Sequence, residues 1–246
     1  MLLPCPSRCT SIHSLLLHID VTEDSEFGAL RRYIPPYSTK PNPPYTGWDT
    51  IHDEGGTTRY LIFYDDYKFG WTTDEEAARN SQATYYPNVE GIDFDEADGS
   101  LYFVSKKLSM LFVLNLESRT YTASSTKFGA LMGGGEFRHS PDQIVRNGNG
   151  EYFYVTEDGG RTVGVYAIHR PTGKRYAIFE ANEIMYNGDE TTGLAFSPDG
   201  RIMYAAFQDC GCDLESSEGG LDPTCGCLFE FRREDGRSFD GATLSL

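Results

Sequence analysis

The chain has 246 residues, 39% hydrophobic, 13% aromatic and 24% charged, which is the composition of a globular protein and excludes a disordered tail or a fibre. Its 21 lysines and arginines stand against 37 aspartates and glutamates, and the formal charge of -16 repels polyphosphate backbones, so nucleic acid is not expected as a partner. No apolar run approaches the roughly 20 residues that a membrane-spanning helix needs, so no membrane span is expected.

Residues 1–17 carry Cys5, Cys9, Arg8 and two prolines, and the short run Leu15-Leu16-Leu17 lies between His13 and His18. The pattern fails as a signal peptide, and this start is expected to stand outside a folded domain spanning 18–246. From Tyr33 to Tyr45 five prolines, Pro35, Pro36, Pro41, Pro43 and Pro44, dictate a loop, because proline has no ladder donor. Thr73 to Asn80 has a cap and an acidic first turn but only about two turns of length, a weak helix.

A repeat follows. Ile92-Asp93-Phe94 leads through Asp98-Gly99 into Leu101 to Val104, Ile144-Val145 through Asn149-Gly150 into Tyr152 to Val155, and Leu194 to Phe196 through Asp199-Gly200 into Ile202 to Ala205. The glycines recur at intervals of 51 and 50 residues. Each copy is a strand, a tight Asp-Gly or Asn-Gly turn and an aromatic-rich second strand, and each is followed by a second hairpin. Four antiparallel strands at this period predict all-β blades of a β-propeller, placed at 89–136, 137–186 and 187–240. The residues before 89 hold at most one or two more blades, so an incomplete ring is expected, monomeric where the ring is complete.

Within the last blade, Cys210-Gly-Cys212 and Cys225-Gly-Cys227 are separated by twelve residues. Cys-x-Cys spacing suits a four-thiolate zinc site poorly, although it does not forbid one. Nested disulfides, Cys212 with Cys225 and Cys210 with Cys227, would close the insertion at its neck and imply an oxidising, secretory or extracellular compartment, with the signal peptide missing from this chain. Trp48, Trp71, His139 and His169 read as packing or surface residues, and Gly133-Gly134-Gly135 lacks the lysine and helix of a phosphate loop.

Acidic residues stand at the blade edges: Glu23-Asp24, Glu90, Asp142, Glu157-Asp158 and Asp189-Glu190. Equivalent loops of a propeller open on one end of its channel, so such carboxylates can converge into an oxygen-ligand site for a hard cation. The alternative is solvated surface, since turns favour aspartate.

Val21 to Tyr33, Asn88 to Asp93, Ser140 to Ile144 with Tyr154 to Gly159, and Asp189 to Gly200 followed by Ala206-Phe207-Gln208 resemble, in order, the PhoX-type alkaline phosphatase family, in particular its microbial-eukaryote branch. The resemblance implies a six-bladed propeller with ferric iron and calcium in its mouth, hydrolysing phosphate monoesters. It makes Glu23, Asp24, Glu90, Asp142 and Glu190 metal ligands and leaves the catalytic residues unassigned. Val89 replaces a family proline, Asp209-Cys210 replaces the His-Pro after Gln208, and the family's upstream cysteine and Pro-Trp-Gly-Thr-Trp segment have no counterpart. The chain thus resembles the C-terminal part of the family pattern. A propeller that binds calcium or a protein without catalysis is the competing expectation.

Overall fold

The computed structural model describes residues 30–34, 56–81, 88–126, 131–132, 140–147, 150–158, 163–180, 190–208 and 226–239. Four sheets follow one another. The first holds β1 (Arg31–Ile34), β2 (Thr57–Phe63) and β3 (Phe69–Thr72), and the second holds β4 (Val89–Asp95), β5 (Ser100–Ser105), β6 (Met110–Asn115) and β7 (Thr120–Ser125). The third is built of β9 (Pro141–Arg146), β10 (Tyr152–Glu157), β11 (Gly164–His169) and β12 (Arg175–Glu180), with β8 (Leu131–Met132) added parallel to β12. The fourth has β13 (Thr191–Phe196), β14 (Ile202–Phe207) and β15 (Cys227–Arg232).

This is the all-β, propeller-type architecture that the repeat predicts. Gly99, Gly150 and Gly200 occupy the equivalent hairpin turns at φ of 66°, 71° and 65°, a region closed to most side chains, which explains why glycine marks each copy.

Three details differ from the sequence reading. Residues 131–132 belong to the third sheet and not to the 89–136 blade, because β8 covers the outer edge of β12. The third repeat has three strands among its described residues: after the turn at Gly236, Phe239 donates its N–H to the Gly200 carbonyl at 2.7 Å and buries its ring against Tyr154 and Phe196, so the chain leaves the edge of the sheet. The weak helix does form, as α1 (Glu75–Asn80), because Asp74 caps it by accepting from the Ala77 N–H at 2.9 Å and Arg79 pairs with Glu75.

The core is a series of seams between consecutive sheets. Leu61, Phe63 and Phe69 of the first sheet meet Leu101, Phe103 and Phe112 of the second. Tyr102 and Val104 of the second meet Ile144, Phe153 and Val155 of the third, and Tyr154 and Val165 of the third meet Met203, Ala205 and Phe207 of the fourth. Strand β5 thus buries both of its faces, Leu101 and Phe103 on one side, Tyr102 and Val104 on the other, which is why its sequence is an unbroken apolar run. Among the described residues the buried clusters run from the first sheet to the fourth.

The first strands of three sheets pack side by side, with β9 between β4 and β13. Gly91 fixes their spacing: a Cβ there would lie 2.3 Å from the Ile144 nitrogen and 2.5 Å from the Gln143 Cα. At the turn end of these strands the Arg146 N–H donates to Asp93 Oδ2 at 2.8 Å, and buried Asp95 accepts Arg146 at 2.9 Å and Arg170 at 3.2 Å. Farther out, the Arg175 guanidinium donates to the Thr126 and Ser125 carbonyls at 2.6 and 2.7 Å, tying the third sheet to the end of β7.

Because backbone atoms cannot move aside as a side chain can, Gly91→Ala is expected to destabilise the fold by about 1–3 kcal/mol or more, read as a lower urea midpoint with unchanged m-value. A midpoint equal to that of the parent chain would show that the two strands are not in this contact.

Candidate functional site

Three hydrogen bonds define one end of the channel. The Lys106 N–H donates to the Asn88 carbonyl at 2.9 Å, the Asp158 N–H to that of Ser140 at 2.8 Å, and the Gln208 N–H to that of Glu190 at 2.9 Å. Asn88, Ser140 and Glu190 are therefore structural equivalents, and Glu90 and Asp142 stand two residues farther along their strands.

Each inner strand then carries one extra residue. The ladder passes from Val89 opposite Ser105 to Ile92 opposite Phe103, from Pro141 opposite Glu157 to Ile144 opposite Val155, and from Thr191 opposite Phe207 to Gly193 opposite Ala206. A bulge re-aims the side chains beside it, and here the bulged residues include Glu90 and Asp142. Gln143 is steadied by its N–H donating to Thr156 Oγ1 at 2.8 Å.

The structure brings Glu90, Asp142 and Glu190 to one place. The Asp142 carboxyl lies in the field of Glu190 and, more weakly, of Glu90, both of which favour its neutral form. Both Asp142 and Glu90 are buried, at 4% and 7% exposure. Burial, then Glu190, push Asp142 to about 8, against the Gln143 Nε2 that donates to its Oδ1 at 2.9 Å. Glu23 and Asp24 lie outside the described residues, and among those described no group of three or more His, Cys, Asp or Glu side chains is placed to hold a metal ion.

The same end holds groups that the sequence leaves unassigned. Glu157, opposite Pro141 and 1% exposed, accepts from the Tyr166 hydroxyl at 3.3 Å, and that hydroxyl lies 2.9 Å from Glu180 Oε1. Burial and the Glu157 charge hold the Tyr166 phenol well above the ordinary tyrosine range. Lys106 forms an ion pair with Asp158 across the second and third sheets. Glu157 shares its position with Ser105 and Phe207, so no repeated residue type signals it. Cys227 opens β15 opposite Phe207, while Cys210, Cys212 and Cys225 lie outside the described residues. Among the described residues no helix is long and apolar enough to cross a membrane.

No family model matches the sequence, and no curated protein matches it. Among solved structures, the chain is similar to the calcium-binding protein regucalcin from Agrobacterium tumefaciens (14% identity, 58% of this chain and 39% of that chain, TM-score 0.39). It is also similar to hydrazine synthase from Kuenenia stuttgartiensis (11%, 72% and 49%, TM-score 0.44) and to a streptogramin B lyase (12%, 59% and 41%, TM-score 0.36). The chain spans less than half the length of each of these three, and likeness this loose assigns no activity.

The raised Asp142 value has a sign. Its folded pKa exceeds its unfolded one, so its contribution to stability is full below about pH 4 and is lost as pH rises toward 8. The metal-free chain is expected to lose stability across that window in urea titrations, and Asp142→Asn to flatten the loss. Equal slopes in parent and variant would show that Asp142 is not the group responsible.

Proposed function

We propose that this end of the channel holds a calcium ion on Glu90, Asp142 and Glu190, and that the chain acts on phosphate monoesters in the manner of the PhoX-type family its sequence resembles. The observation that carries the reading is that the charges of Glu190 and Glu90 act on the buried Asp142 carboxyl, the three groups standing on or at the start of three different inner strands. Unit charges 4 Å apart repel by about 4 kcal/mol at an effective dielectric of 20, so the cluster needs either a proton or a cation. Calcium takes oxygen ligands with loose geometry, so carboxylates drawn in from separate strands suit it, and Glu23 or Asp24 is the proposed addition.

When bound, the ion would supply the positive charge that a phosphate needs in a chain of net charge -16. Gln143 orients Asp142, and the Lys106–Asp158 pair borders the same end. Ferric iron, also implied by the resemblance, is ligated in the family by a cysteine with no counterpart here, so the proposal is confined to calcium. Replacement of the family's His-Pro by Asp209-Cys210 after Gln208 favours a second reading, a calcium-binding propeller without catalysis.

The two cysteine pairs are proposed to form nested disulfides. Support comes from the direct pairing of Phe207 with Cys227, which brings both ends of the 209–226 insertion to one point of the sheet. This proposal carries with it a secretory or extracellular location.

Calorimetric calcium titration and p-nitrophenyl phosphate turnover test the reading together. Saturable calcium binding with turnover supports the phosphatase, binding without turnover supports the second reading, and no binding overturns both. Glu90→Gln is expected to weaken calcium binding by about tenfold or more through loss of a charged ligand, with the far-UV spectrum unchanged.

A further inference from the structure

We propose that Arg32, Arg59 and Arg119 form a binding site for a phosphate-class oxyanion at the end of the seam between the first two sheets, separate from the carboxylate cluster. The proposal stands whether or not calcium occupies the channel.

Strand register puts two of the arginines together. Arg32 on β1 lies directly opposite Arg59 on β2, so both side chains leave the same face of the sheet. Period-two alternation makes it the face that carries Leu30 and Leu61, which are buried against the second sheet. The apolar seam thus ends in two half-buried guanidinium groups. Arg32 lies over the Trp71 ring at 4.9 Å, which fixes one of them in place.

The third comes from the second sheet. Arg119 lies between β6 and β7, and its carbonyl accepts the Phe69 N–H at 3.0 Å, two residues from Trp71. Its backbone has φ of 56°, in the left-handed region, although glycine or asparagine would hold that turn with less strain. Burial and the charges of Arg59 and Arg119 lower the Arg32 pKa, so Arg32 lies in the field of both.

Like charges opposite one another on paired strands are destabilising, and this chain has 37 acids with which to avoid the clash. Elsewhere it does so. Arg79 pairs with Glu75, Arg146 and Arg170 with Asp95, Arg232 with Glu230, Arg233 with Asp235, and Arg175 caps two carbonyls. Among the described residues no carboxylate pairs with Arg32, Arg59 or Arg119, and the Nε atoms of Arg32 and Arg59 are buried without a hydrogen-bond partner.

Guanidinium forks match tetrahedral oxyanions in shape and charge, and three of them suit a doubly charged group better than a halide. That group has two sources, inorganic phosphate or the phosphate of a monoester.

The test is calorimetric titration of the full chain, in calcium-free buffer with chelator, by inorganic phosphate and separately by glycerol 3-phosphate. Saturable binding is expected, weakened about tenfold or more in Arg59→Gln and in Arg119→Asn, the charged hydrogen bond being the quantity removed. Arg119 is exposed and asparagine tolerates its φ, so that variant keeps the fold if Arg59→Gln does not. Tighter binding of glycerol 3-phosphate identifies a monoester as the source, and equal or tighter binding of inorganic phosphate identifies the free anion. No binding up to about 10 mM, equal competition by chloride, or unchanged affinity in a folded Arg119→Asn protein overturns the proposal.

Discussion

The backbones of β4 and β9 meet at Gly91, and the arrangement of the channel depends on that contact. A missing Cβ lets the inner strand of the second sheet lie against the backbone of Gln143 and Ile144, an approach that a methyl group would block. Glu90 precedes this point on one strand and Asp142 precedes it on the other, so the approach that packs the strands also carries their carboxyl groups into a single region. Hydrogen bonding across the sheets cannot produce this, because inner strands of different blades share no ladder. Packing at the axis does.

The two ends of these strands treat buried acid in opposite ways. Asp95 is 3% exposed and lies between the guanidinium groups of Arg146 and Arg170, the latter also stacked on Phe153 at 4.9 Å. Removing one partner of so buried a pair typically costs about 3–5 kcal/mol, so that end is built as a clamp between the second and third sheets. At the other end Asp142 faces Glu190 and Glu90, with one side-chain amide donating to it. An acid cluster of this kind is a poor device for holding strands together, because each new ionisation opposes the last. A cation held as proposed would relieve that repulsion.

Charge is also distributed unevenly around the first seam. Tyr60 and Trp71 carry arginines above their rings, and Arg31 approaches Glu75 at 3.8 Å, so part of the positive charge there is paired and part is stacked. In a chain with an excess of acid, a face on which arginine opposes arginine runs against the average electrostatics. That electrostatic cost is what the proposed oxyanion would offset.

The strand pairs, their turns and the two-faced burial of β5 follow from local chemistry that the sequence states openly: an Asp-Gly or Asn-Gly turn needs a left-handed glycine, and alternating or continuous apolar runs show how many faces are covered. Glu90, Asp142 and Glu190 were legible as blade-edge acids, yet their relation was not. Glu190 occupies the position of Asn88 and Ser140, two residues before that of Glu90 and Asp142, and only the packed inner strands bring it to Asp142. Glu157 and the opposed pair Arg32 and Arg59 gave no pattern at all, since one depends on a strand ladder and the other on pairing across 27 residues of sequence. Repeats and turn residues fix short-range geometry because they restrict φ and ψ one residue at a time. Which side chains finally face one another is decided by the register and packing of distant strands, and those contacts exist only once the sheets have come together.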